Sequence, residues 1–228
     1  MSPQYLTMGV VLKSNEGFEL LTGNRIMAKY IGPKTKISRR FNVALFGPNK
    51  ALERKPYPPG IHGQRAGKKK SDYAIALGEK QKLRFMYGIT ERQFSRYFNI
   101  AHKKKGVTGE VLLQILEERL DNVVYRLCFA TSRMEARQLV NHGHIYVNGK
   151  KVNIPSYRTK PGDVIEVCPK PQSRKLALRN LEAMKGVKIP DWLALEPDNL
   201  KGVVKRVPTR DEIQPIVNEQ LVVEFYSK

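Results

Sequence analysis

A chain of 228 residues has room for one large domain or two small ones, and 41 Lys and Arg against 21 Asp and Glu give it a net charge of +20. That much like charge repels itself in a folded protein unless a polyanion neutralises it, so nucleic acid is the first partner to consider and an acidic membrane surface the second. No apolar run approaches the roughly 20 residues that span a bilayer, and the first residues lack the basic head, apolar run and cleavage site of a secretory signal.

The charge is unevenly placed. Residues 1–26 are net neutral, residues 27–106 carry 20 bases and 4 acids, residues 107–169 carry 8 and 7, and residues 170–228 carry 11 and 8. Electrostatic affinity must therefore belong to the whole chain, led by its first half. Cys128 and Cys168 have no motif spacing and read as reduced, buried thiols of a cytoplasmic protein.

The apolar runs of residues 1–26, Val10 to Leu12 and Phe18 to Leu21, are too short to build a core. Two readings stay open: a floppy tail, or a stretch upstream of a true start at Met27. Residues 27–70 are rich in Lys, Arg, Pro and Gly, with a cationic run from Lys34 to Arg40 and the segment Pro-Tyr-Pro-Pro-Gly-Ile-His-Gly at 56–63. The prolines predict extended chain rather than helix, and the glycines let the backbone approach a partner. Tyr57 and His62 could stack on bases; the bland alternative is a disordered basic linker.

From Ser71 the pattern is helical, with Ser71 or Asp72 as cap and Gly88 as stop. Thr90-Glu-Arg-Gln predicts a capping box for a helix with Phe94, Tyr97, Phe98 and Ala101 inward and Arg92 and Arg96 outward. Thr108 is expected to cap a third helix with Val111, Leu112, Ile115 and Leu116 as core.

Residues 119–167 are the most informative. Asp121 is expected to cap a short helix bearing Val123, Val124 and Leu127. Ser132 and Glu135 predict a capping box for a second, striped by Ala136, Leu139 and Val140 and ended by Gly143. A strand at 144–147, a hairpin turn at Asn148-Gly149, a second turn at Pro161-Gly162-Asp163 and a strand at 164–167 follow. Arg133 and Arg137, four apart, share one helix face, with His142, His144, Lys150 and Lys151 near it. That arrangement suits a phosphate backbone, although a solvated face is the default for such a pair. After a linker at 170–172, a helix from Ser173, a core anchor at Trp192 and a terminal strand or extended segment at 221–226 complete the reading.

Chemistry is not indicated. His62, His102, His142 and His144 have no paired cysteines, so no metal or other cofactor is expected. There is no Gly-rich phosphate loop and no Gly-x-Ser-x-Gly. Arg119-Leu120-Asp121 is similar to the catalytic triplet of pseudouridine synthases, but a Glu precedes it and no catalytic domain follows.

Residues 119–167 resemble the S-four-type RNA-binding domain. The chain from Met27 onward resembles the family of bacterial and organellar small-subunit ribosomal protein four, in Met-Ala-Lys-Tyr-Ile-Gly-Pro-Lys at 27–34, Pro-Pro-Gly-Ile-His-Gly-Gln at 58–64, Glu-Lys-Gln-Lys-Leu-Arg at 79–84, Tyr-Gly-Ile-Thr-Glu-Arg-Gln-Phe at 87–94 and the terminal Glu-Phe-Tyr-Ser-Lys. The resemblance implies an α+β protein: a mostly helical domain, 27–106 completed by 172–228, with an inserted module of two helices and a small antiparallel sheet at 107–171. Some relatives carry a Cys-x-x-Cys zinc site where this chain has Thr35 and Ser38, which implies a zinc-free variant.

It also implies a non-enzymatic constituent of the small subunit. Such a protein binds small-subunit ribosomal RNA, nucleates assembly of the body, touches ribosomal protein five, lies beside messenger RNA at the entry channel and influences translational accuracy. By position, Tyr57, His62, Arg84, Arg92, Arg133, Arg137 and His144 would face ribosomal RNA. Arg65, Lys68, Lys69 and Lys70 would lie nearest the messenger. The rivals are an RNA-modifying enzyme carrying this module, which would need a catalytic domain, and a free-standing module, which would lack the basic first half.

Overall fold

The computed structural model describes residues 30–65, 70–213 and 215–227. The expectations for residues 1–26 and for Lys68 and Lys69 lie outside them. Two apolar cores organise the described chain, one purely helical and one built on a sheet.

The helical lobe begins with α1 (Lys34–Phe41) and α2 (Lys50–Arg54), where extended chain was expected. The prolines do not prevent them. Pro33 stands at the N-cap of α1, where its fixed φ is tolerated, and Asn49 caps α2 by accepting from the Ala51 N–H at 3.0 Å. The segment from Tyr57 is an ordered loop ending in a single 3-10 turn, Gly63–Arg65. A Cβ at Gly63 would stand 1.9 Å from the Pro58 carbonyl oxygen, so only glycine fits that fold-back.

Helices α3 (Asp72–Met86), α4 (Glu91–Lys103) and α5 (Thr108–Glu117) supply the core. Ser71 caps α3 through the Ala74 N–H as expected. Thr90 takes the N-cap position of α4 as expected but makes no side-chain capping bond, and Thr108 lies inside α5, whose N-cap is Val107. Phe94, Tyr97, Phe98 and Ala101 of α4 are buried against Leu112, Leu113, Ile115 and Leu116 of α5.

The second lobe contains α6 (Leu120–Arg126), α7 (Arg133–Asn141), β1 (Ile145–Val147), β2 (Lys150–Lys151) and β3 (Val164–Val167). Ser132 caps α7 through the Glu135 N–H, while Glu135 reaches back to the Thr131 N–H and hydroxyl, one residue earlier than a standard capping box. Asn148 and Gly149 both take positive φ, 50° and 75°, as their hairpin turn requires. The chain then runs through α8 (Pro171–Ala183) to β4 (Leu193–Glu196) and β5 (Lys201–Val204). Those two strands join the same antiparallel sheet, in the order β2-β1-β3-β5-β4. Trp192, with only 1% of its surface exposed, anchors that core with Leu193, Leu200 and Val204.

Finally α9 (Arg210–Ile213) and α10 (Glu219–Ser227) return to the helical lobe, where Ile213, Val217 and Val222 are buried. The expected terminal strand is thus a helix. Its β-branched and aromatic residues read as strand locally, but α10 packs on α3 and α5, and that burial decides the outcome.

The two-domain reading needs correcting at both module boundaries. Helix α5 packs in the helical core, so the module begins near 118 rather than 107. The segment 172–228 is divided, with α8, β4 and β5 on the sheet lobe and α9 and α10 on the helical lobe.

Gly202 in β5 faces Leu127: a Cβ there would lie 2.4 Å from a Leu127 methyl, and Leu127 is fully buried. Gly202→Val is therefore expected to destabilise the chain by about 1–3 kcal/mol through overpacking. Urea unfolding checks it, and an unchanged midpoint would show that the sheet core yields at this point.

Candidate nucleic-acid interface

The two lobes meet along a buried polar seam. At its centre Glu117, the last residue of α5, is fully buried. It accepts from the Tyr87 hydroxyl at 2.6 Å, from Asn122 Nδ2 at 2.6 Å, and from Arg126 Nε and Nη2 at 3.0 and 2.8 Å. Burial alone would raise the Glu117 carboxyl; the Arg126 charge and its hydrogen bonds outweigh it and hold the group below the ordinary carboxylate range. Burial together with the Glu117 charge pushes the Tyr87 phenol well up, so it stays a donor.

Beside this lies a second cluster. Arg119 is completely buried, forks onto both oxygens of Asp121 at 3.0 and 2.6 Å, and donates to the Tyr97 hydroxyl of α4. Asp121 is thus neither cap nor nucleophile. The N-cap of α6 is Arg119, and the Asp121 carboxylate serves the ion pair.

The two predicted arginines of α7 sit on this seam. Arg133 donates to Asn122 Oδ1 at 2.8 Å, and its guanidinium lies 5.0 Å from the Tyr87 ring centre and 4.6 Å from that of Tyr125. Arg137 donates to the Gly88 carbonyl at 3.2 Å and stands 4.0 Å from Asp121. Both therefore tie the module to the turn between α3 and α4. They are not simply a solvated face.

A cleft with a cavity of about 60 Å³ opens where they emerge, bounded also by Lys34, Tyr87 and Tyr125. Phe85 lines this cleft and also a wider groove between α1 and α3, which holds Arg40, Lys70, Lys82 and Arg84. A basic track thus runs from the module, across the seam and along the helical lobe.

The other predicted residues are placed as follows. Arg84 joins the track, its guanidinium 4.4 Å from the Phe85 ring centre and its Nε donating to Gln81. Tyr57 is half-buried with one face covered by Arg39, 4.9 Å from its centre. His62 and Arg65 are exposed on the loop, Lys70 is exposed before α3, and Arg92 is exposed on α4. His144 lies apart from the seam. Its Nδ1 is 2.9 Å from the Ser173 hydroxyl, and burial, His142, Lys170 and Lys151 all push its pKa down. Sequence reasoning missed Glu117, Asn122 and Arg126. No motif marks them; the only signal is the density of polar residues from Glu117 to Asn122, interrupted by Leu120, between two apolar helices.

A basic helical lobe locked to a module of two short helices on an antiparallel sheet defines an RNA-binding protein of the S4-domain class. Family models agree: residues 29–117 match the ribosomal protein S4/S9 N-terminal domain, and residues 118–165 match the S4 domain. Relatives named small ribosomal subunit protein uS4 match along their whole length and 89% of this chain. They are 60% identical in Akkermansia muciniphila, 55% in Thermus thermophilus and 51% in Aquifex aeolicus. The chain belongs to the uS4 family of small-subunit ribosomal proteins.

Proposed function

We propose that this chain is a non-enzymatic constituent of the small ribosomal subunit that binds small-subunit ribosomal RNA directly and nucleates assembly of the subunit body in the cytoplasm. The observation that carries the reading is the basic track crossing a hydrogen-bonded polar seam between two lobes. Recognition then works by shape. Lys and Arg neutralise phosphates, and a fixed angle between lobes selects a junction of helices rather than a base sequence.

Within this reading Arg84, Arg92, Arg133, Arg137, Tyr57, His62 and His144 face ribosomal RNA. Arg65, Lys68, Lys69 and Lys70 lie toward messenger RNA at the entry channel, and another face meets ribosomal protein five, through which the protein affects accuracy. The helical lobe functions as one RNA-binding unit and the S4 module as the other. Thr35 and Ser38 both lie on α1, with Ser38 buried in the fold; neither hydroxyl is a customary zinc ligand, which supports a zinc-free protein. A salt-washed sucrose gradient tests the central statement. Co-migration with the small subunit is expected, and migration with the large subunit or at the top of the gradient opposes it.

A further inference from the structure

The groove between α1 and α3 holds about 590 Å³, the scale of a small-molecule pocket rather than of a double helix. Phe41 of α1 and Ile75 and Phe85 of α3 supply its apolar surface, and Ile75 remains 39% exposed there. Arg40 stands on one rim and Lys82 on the other, with Arg84 seated on Phe85. Among the described lining residues one carboxylate, Glu79, shares the rim, and it is paired with Lys82 at 2.5 Å. Helix α1 itself carries Lys34, Lys36, Arg39 and Arg40 and no acid. Rings below and cations above are what an unstacked nucleotide needs.

Gly78 adds an independent observation. It lies in the middle of α3, where glycine is destabilising relative to alanine. Its backbone is not in the left-handed region, and a Cβ built on it would meet nothing within 4 Å. Neither conformation nor packing within the described chain calls for glycine at this point, yet it lines the groove. Close approach of something outside the chain would.

We propose that this groove seats one unstacked nucleotide of a single-stranded RNA segment, its base among Phe41, Ile75 and Phe85 and its sugar–phosphate crossing the bare backbone at Gly78 between Arg40 and Lys82. The proposal rests on the RNA-binding reading above and adds to it the strandedness of the RNA met by this face. A duplex keeps its bases stacked and cannot fill the groove. The chain's own residues 1–26, with two acids and two bases, bring no net charge to complement it.

The test compares Gly78→Leu with the wild-type full chain. Thermal unfolding of the variant should occur at the same or a higher temperature, since leucine is the better helix former. Its affinity for a small-subunit ribosomal RNA transcript, at one fixed salt concentration, should fall about tenfold, with Gly78→Ala between the two. In the wild-type complex, 4-thiouridine in the transcript should crosslink from unpaired positions to peptides of α1 and α3.

Equal affinity of Gly78→Leu and wild type, or crosslinks to these helices only from paired uridines, would overturn the groove and leave the RNA-binding reading standing. Failure of the wild-type chain to bind the transcript would overturn that reading and the groove with it. If deleting residues 1–26 abolishes the effect of Gly78→Leu, the occupant is the chain's own extension and the proposal falls.

Discussion

Glu117→Ala is expected to destabilise the protein by about 3–5 kcal/mol, the range for removing one partner of a buried ion pair. The loss is large because Glu117 is the common acceptor of Tyr87, Asn122 and Arg126. Without it, the buried Tyr87 and Asn122 lose this acceptor, and Arg126, with 22% of its side chain exposed, loses its carboxylate partner. Glu117→Gln should cost less, since one amide oxygen still accepts. Urea unfolding of the three proteins provides the comparison, and a loss below about 1 kcal/mol for the alanine variant would contradict a central role for the seam.

The pH dependence has a definite sign. The folded carboxyl titrates below its unfolded value of about 4.3. Its contribution is therefore complete above that value and disappears as pH falls through the folded pKa. The stability gap between wild type and Glu117→Ala should accordingly be constant near neutrality and narrow only in acid.

Affinity for small-subunit ribosomal RNA should fall about a thousandfold or more between 50 and 200 mM monovalent salt, as for about six or more neutralised phosphates. The net charge of +20 is concentrated in the helical lobe, and the track offers Lys34, Arg40, Lys70 and Arg84 besides the exposed Arg92. Filter binding across that salt range measures the slope. A nearly flat dependence would mean that apolar contacts, not phosphates, lead the interface.

Much of the fold is legible locally. Phe94, Tyr97, Phe98 and Ala101 mark a helix face by spacing alone, and Asn148-Gly149 marks its turn because both residues take positive φ. The failures share a cause, which is tertiary context. Leu221 to Tyr226 look like a strand until α3 and α5 are there to receive a helix. Asp121 looks like a cap until the buried Arg119 claims it. Lys34 to Arg40 look like an unstructured basic run, yet Ser38 turns inward and the run winds into α1.

At the site, periodicity correctly puts Arg133 and Arg137 on one face, but spacing cannot say what that face meets. It meets the helical lobe. Replacing either arginine would therefore remove a contact between the lobes as well as a local charge, so a loss of RNA binding at these two positions has two physical sources. Arg92, exposed on α4, is the cleaner probe of charge alone.

The path of the last third of the chain has a consequence for synthesis. Strands β4 and β5 finish the sheet begun by β1 to β3, and α10 then closes the helical core begun by α3 to α5. The sheet core cannot be completed before Val204 has been made, nor the helical core before Val222. A nascent chain of about 170 residues would present β3 with an unpaired edge and leave Val123, Leu127 and Ile165 without Trp192 and Leu200 over them. The order of elements along the polypeptide thus holds back closure of the sheet lobe until β5 has emerged and closure of the helical lobe until α10 has, and shorter nascent chains leave apolar surface of both open.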